Sequence, residues 1–233
     1  VDGIAGTKTL TFHGADVSSQ LWLKDFNDGD GADGAGDELV TFSAVPLTTT
    51  VGIDGGEEAT ANALTDLTVA FAGASGSADS ATIATDGARV DTLTVASIET
   101  LNFTTVGTAE AQIEILTTAA AATVNIAATT GAFEIDNLDD FTKKVDASAS
   151  TKAVDVDGVG AVAFTFTGGS GDDRVDMGTT LTVADTINGG AGTDTLAIGA
   201  DLTATTGSTN TKLSNLEKVE FTGDLDQDLS VVG

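Results

Sequence analysis

The sequence predicts an all-β chain, a right-handed parallel β-solenoid or β-roll with few or no helices. Apolar and polar residues alternate through most of its length, as in Leu67-Thr68-Val69-Ala70-Phe71 and Phe164-Thr165-Phe166-Thr167. That period of two marks half-buried strands. From residue 113 onward, apolar pairs recur about every ten residues, at Ile113/Ile115, Val124/Ile126, Val154/Val156 and Phe164/Phe166 among others. A short fixed period is what a solenoid requires. The connecting turns also share a Gly/Asp code, which a β-sandwich of equal strand density has no reason to repeat.

Taken in order, Thr9-Leu10-Thr11-Phe12 and Leu21-Trp22-Leu23 read as the first strands, with Trp22 as a strand-core or interface residue and His13 as a surface or strand residue. Residues 57–67 (EEATANALTDL) are the one stretch of helix-friendly composition, and 137–144 (NLDDFTKK) suits a short helical turn. Alternation returns at Leu67–Phe71, Thr92–Val95 and Leu101–Thr104. The small polar residues of 73–87 mark a division into an N-terminal β-rich segment, 1–85, and a solenoid segment, 86–233.

Charge narrows the partners. Asp and Glu number 36 against 9 Lys and Arg, a formal net charge of −27. Such a chain repels phosphate backbones and anionic lipid, so nucleic acid is excluded as a partner. Zero Cys removes disulfides, zinc ribbons, iron–sulfur clusters and thiol nucleophiles, and one His cannot build a multi-His metal site. Hydrophobic residues make up 41% and Pro occurs once, so the chain can bury a core despite its charge. Its apolar runs fall far short of the ~20 residues of a membrane span, so no transmembrane segment is expected. The opening VDGIAGTKTL has neither a basic nor an apolar signal region, which reads as a fragment or processed product. Counterions are needed, and divalent cations are the obvious candidates.

The turn code says where. Gly168-Gly169-Ser170-Gly171-Asp172-Asp173-Arg174-Val175-Asp176 fits G-G-x-G-x-D-x-U-x at every fixed position, and Gly189-Gly190-Ala191-Gly192-Thr193-Asp194-Thr195-Leu196-Ala197 fits it again. This is a calcium-binding nonapeptide repeat. Glycine permits backbone conformations that expose carbonyl oxygens, and the aspartate adds the hard oxygen that calcium prefers. The candidate Ca²⁺ residues are Gly169, Gly171, Asp172, Asp173, Asp176, Gly190, Gly192 and Asp194. Asp185 occupies the same position in a glycine-free turn, twelve residues after Asp173 and nine before Asp194, with Met177-Gly178-Thr179 as a three-residue insertion. Successive turns alternate between two edges, so 168–173 and 189–194 should stack on one edge and share an ion, with 180–185 closing the other. Arg174 should pair with Asp172 or a neighbour. The acidic run 25–38 (DFNDGDGADGAGDE) is a degenerate copy of the code, and its Asp28, Asp30, Asp33 and Asp37 repel one another unless a cation is present. A second block repeats as well: Asp91-Thr92-Leu93 before Ile98-Glu99-Thr100-Leu101-Asn102-Phe103-Thr104, and Asp194-Thr195-Leu196 before Leu216-Glu217-Lys218-Val219-Glu220-Phe221-Thr222.

The GGSGDD and GGAGTDTL turns together with the SIETLNFT and NLEKVEFT strands resemble the RTX-type surface-layer proteins of Gram-negative bacteria. The resemblance implies an extracellular, type I-secreted structural protein of the cell surface whose calcium-stabilised solenoids assemble laterally with other copies of themselves. Cell-surface polysaccharide, reached through regions beyond this sequence, is a further implied partner. Two alternatives stay open: a stalk or ligand-binding domain of a large RTX adhesin, and the accessory β-roll of a secreted enzyme.

No catalytic constellation stands out. His13 has no G-x-S-x-G partner, and neither H-E-x-x-H nor G-x-x-x-x-G-K-[ST] occurs. Carboxylate pairs are abundant, but aromatic residues, the usual sugar platforms, are 5% of the chain. The expectation is a non-enzymatic structural protein whose turns lock when calcium neutralises facing carboxylates. Outside a cell, at roughly millimolar calcium, sites with Kd of ~10⁻⁴–10⁻³ M fill, so folding would follow export.

Overall fold

A computed structural model describes residues 17, 19–24, 39–55, 63–118, 123–160, 163–199 and 212–223. In chain order the strands are β1 (Gln20–Lys24), β2 (Leu39–Pro46), β3 (Thr50–Asp54), β4 (Ala63–Ala72), β5 (Ser80–Asp86), β6 (Arg89–Ala96), β7 (Thr100–Thr105), β8 (Ala111–Thr118) and β9 (Thr123–Ala127). Shorter ones follow: β10 (Phe133–Ile135), β11 (Lys144–Asp146), β12 (Val154–Val156), β13 (Thr165–Thr167), β14 (Arg174–Asp176), β15 (Thr186–Asn188), β16 (Thr195–Ile198), β17 (Leu213–Ser214) and β18 (Lys218–Phe221). Every odd strand joins one nine-stranded sheet and every even strand a second, and all pairings are parallel. The chain therefore crosses from sheet to sheet at every turn and winds as a β-solenoid. Among the described residues there is no helix, and none long and apolar enough to cross a membrane.

The period is set by the turns. Thr123 pairs with Lys144, Lys144 with Thr165 and Thr165 with Thr186, each 21 residues on. Two nine-residue units would give less. In the coil from Thr165 to Thr186 the excess is the insertion seen in the sequence: Met177 tucks its side chain into the core, Gly178 turns at φ +47°, and Thr180 N–H closes on the Met177 carbonyl at 2.8 Å.

Parallel registration stacks like on like. Leu101, Val124, Val145, Phe166 and Ile187 form one buried column along the odd sheet, each directly over the next. In β4, β6 and β8 the alternation skips a beat. Leu64 and Leu67, Val90 and Leu93, and Ile113 and Leu116 are all buried, with two outward residues between each pair. The skip recurs in register, and the ladders joining β4, β6 and β8 are interrupted together there, between Leu64 and Asp66, Val90 and Thr92, and Ile113 and Ile115.

Residues 63–67, expected as the end of a helix, are strand instead. Leu64, Leu67, Val69 and Phe71 are buried, and β4 is hydrogen-bonded to β2 on one side and β6 on the other. Long-range pairing overrides local propensity here. Residues 57–62 lie outside the described residues. The 137–144 stretch is a capped turn and not a helix. The Asp139 carboxylate accepts from Phe141 N–H (3.2 Å) and from the Thr142 N–H (3.1 Å) and hydroxyl (3.0 Å), and it also takes the Thr118 hydroxyl (2.6 Å) of the neighbouring coil. Aspartate offers the backbone this alternative to helix. Within 73–87, where composition suggests a division, β5 pairs with both β3 and β7.

Phe103 and Phe133 meet across the core, one from each sheet, with ring centroids 4.9 Å apart. Truncating Phe103 to Ala should lower unfolding free energy by about 3–5 kcal/mol, measured by urea titration followed by circular dichroism.

Candidate functional site

Both complete turns lie where an odd strand hands over to an even one, β13 to β14 and β15 to β16, so they stack on the same edge as the sequence spacing predicts. The contact is direct. Ala191 N–H donates to the Gly169 carbonyl (2.9 Å), Thr193 N–H to Asp172 Oδ1 (2.8 Å) and Thr195 N–H to the Asp173 carbonyl (2.8 Å). The glycine-free turn 180–185 falls on the opposite edge, between β14 and β15.

The glycines of the code are explained by this stacking. A Cβ on Gly190 would sit 2.3 Å from the Gly169 carbonyl oxygen, and one on Gly192 would sit 2.2 Å from that of Gly171. Both residues also hold positive φ, +101° and +139°. Coils approach too closely at this edge to admit a side chain. Gly190→Ala should therefore cost about 2 kcal/mol or more, read as a lowered urea midpoint.

Asp173 and Asp194 point inward and are 2% and 1% exposed. Their carboxylates stitch successive coils. Asp173 accepts from Gly169 N–H (2.7 Å) within its own turn and from Val154 N–H (2.9 Å) one coil back. Asp194 Oδ1 accepts from Asp173 N–H (2.8 Å), and Glu217 Oε2 in turn accepts from Asp194 N–H (2.8 Å). Asp185 does the same at the other edge, accepting from Phe164 N–H (2.7 Å) and Thr182 N–H (2.6 Å). Burial pushes the Asp173 carboxyl up to about 6 against the pull of its two backbone donors, and the charges of Asp194 and Asp172 add to the rise. Burial also raises Asp194, helped by Glu217 and Asp172.

Glu217 and Glu99 are residues that the sequence reading left without a role, although the repeated block contains both. Each clamps an aspartate of the coil before it. Glu99 and Thr100 N–H donate to the Asp79 carbonyl while Glu99 Oε2 accepts from Asp79 N–H (2.8 Å); Glu217 and Lys218 N–H treat Asp194 identically. In both clamps the aspartate keeps a buried Oδ2 with no hydrogen-bond partner.

The other expected ligands are dispersed. Asp172 is exposed, and Asp176 lies on the outer face of the even sheet. There Arg174 gathers Asp155 (3.1 Å), Asp157 and Asp176 (2.9 Å), with Glu220 at 3.8 Å; its partners are these and not Asp172. Asp28, Asp30, Asp33, Asp37 and His13 lie outside the described residues. Trp22 is half-buried on the outer face of β1, its ring lying over Gly52, where a Cβ would meet it at 2.2 Å.

Among the described residues no three Asp, Glu, His or Cys side chains converge as a metal cluster. The Asp173–Asp194 pair nonetheless suits a hard cation. It offers two inward carboxylates on stacked turns, both with raised proton affinity, and one buried oxygen lacking a partner. Such a cation would complete its shell from backbone carbonyls and water.

The even sheet's outer face carries an acidic column. Glu134 stacks directly on Asp155, with Asp136 and Asp157 beside them. Burial, a hydrogen bond to Asp136 and the charges of Asp136 and Asp155 push Glu134 up to about 7, and burial with the Asp155 charge pushes Asp157 up to about 6. These groups bind protons more tightly folded than unfolded. The stability they confer is present below about pH 4 and is lost as pH rises through 6 to 7. Urea midpoints in EDTA should fall between pH 4.5 and 7.5, and Glu134→Gln should flatten that slope.

The fold and the stacked turns define a two-sheet parallel β-solenoid with carboxylate-stitched edges. Comparison with family models, with curated proteins and with solved structures finds no match.

Proposed function

We propose that this solenoid is a structural element of the cell exterior, a segment of a calcium-dependent, self-assembling surface layer. The observation that carries the reading is the pair of RTX-like turns meeting on one edge, with Asp194 Oδ2 buried and unpartnered. Calcium at that edge neutralises the inward carboxylates and offsets the burial, and the lesser repulsion, that raise their proton affinity. At intracellular calcium these buried carboxylates lack a compensating cation. At roughly millimolar calcium outside the cell, sites of Kd ~10⁻⁴–10⁻³ M fill, and the coils lock once exported. The net charge of −27 supports the same reading, because the acidic faces of neighbouring copies repel one another until cations screen them. No chemistry on a substrate is required of any residue.

Sedimentation velocity in EGTA and then in millimolar calcium, with a thermal melt of each sample, tests this. The expected result is a higher melting temperature and large ordered assemblies in calcium. Stabilisation without assembly would point to an adhesin stalk or accessory roll, and no response to calcium would overturn the reading.

A further inference from the structure

The two outer faces of the solenoid differ sharply in charge. The even sheet exposes the acidic column described above, answered among the described residues by Arg89, Arg174 and Lys218. The odd sheet exposes a neutral one. Thr82, Asn102, Asn125, Thr167 and Asn188 lie in one outward row, in register from β5 to β15 apart from Asp146 of β11. Its ionic side chains balance, Lys24 pairing with Asp54 and Lys144 with Asp146, while Asp86 and Lys212 offset each other near opposite corners. A chain of net charge −27 thus reserves one flat face for near-neutrality.

That face is also preorganised. Asn125 Nδ2 donates to Asn102 Oδ1 (2.8 Å), and Asn102 Nδ2 donates to Ser80 Oγ (2.9 Å) and the Ala81 carbonyl (3.0 Å), so the amides run along the solenoid axis and do not stand off the sheet. Gly52 lets the Trp22 ring lie down. Side chains already fixed lose little entropy when covered.

We infer that the outer face of the odd sheet is the surface through which two copies of this chain pack side by side. Electrostatics selects the occupant. Another copy can approach this face without bringing like charges together, whereas contact between two even-sheet faces would set acidic columns against each other. Area is adequate. Nine strands at ~4.8 Å spacing and four residues of ~3.3 Å give a face of about 38 by 13 Å, on the order of 500 Å² per copy. That is the low end of specific interfaces, so one such contact is weak and reversible, as lateral growth of a sheet requires. The inference rests on the assembly reading only in requiring that copies associate. It adds that this contact needs no calcium.

The test is sedimentation velocity over a concentration series, in EDTA and in calcium, with the emission of Trp22, the single tryptophan, as a second readout. The Thr82→Glu/Asn125→Glu double variant charges the odd face. Thr68→Glu/Thr117→Glu places the same charges, one strand apart, on the even face. Circular dichroism melts confirm folding, and Thr104→Arg, which stands between Ala84 and Ala127, serves if the double variant does not fold. Expected are association of the wild type in EDTA with a blue shift of Trp22, at least tenfold weakening by the odd-face variants, and no change from the even-face pair. A wild type that assembles equally well with the odd face charged overturns this inference and leaves the surface-layer reading standing. A wild type that is monomeric in both buffers overturns both.

Discussion

Parallel, in-register stacking is the constraint on which everything else in this molecule depends. Each residue lies one strand spacing, ~4.8 Å, from its counterpart in the next coil, so whatever a position carries is multiplied along the axis. Apolar positions become columns, as from Leu101 to Ile187. Close backbone approach becomes a demand for glycine at 190 and 192. The double outward step in β4, β6 and β8 recurs in register, whereas the extra residue of β2 between Phe42 and Val45 is absorbed as a bulge against β4.

The same multiplication makes charge expensive, and the protein meets this in three ways. At the edges, carboxylates are turned inward and used as acceptors for backbone N–H groups of the adjoining coil, so Asp173, Asp185 and Asp194 join coils where strand hydrogen bonds stop. On the even sheet, one guanidinium serves several acids: Arg174 touches Asp155 and Asp157 of the coil before and Asp176 of its own strand. What these devices leave uncompensated appears as raised proton affinity, as at Glu134 over Asp155 and at Asp157 and Asp173. Burial is the largest cause at each carboxyl whose proton affinity rises, and a neighbouring acid adds to it.

Much of this could be read from the sequence. Alternation revealed the strands, and the nine-and-twelve spacing of Asp173, Asp185 and Asp194 placed their turns on the correct edges. Residues 63–67 misled because Ala, Leu and Asp in EEATANALTDL look helical locally, while the pairing that makes them strand comes from 39–46 and 89–96, far along the chain. Arg174 could be given no partner beyond its neighbours, because Asp155 becomes adjacent only once the coil offset is known. Glu99 and Glu217 were visible as a repeat, but their task, clamping the aspartate of the coil before, is a property of stacking and not of either segment alone.

Each strand is hydrogen-bonded only to the strands two before and two after it, so the solenoid is a one-dimensional array in the thermodynamic sense. Among the described residues no strand pairing ties β1 or β2 to β17 or β18. Order spreads from whichever coil forms first, and it is lost from the ends inward, much as a stack of coins is unmade from its faces. Among the described strands β1, β2, β17 and β18 each pair with one other strand, and every strand between them pairs with two.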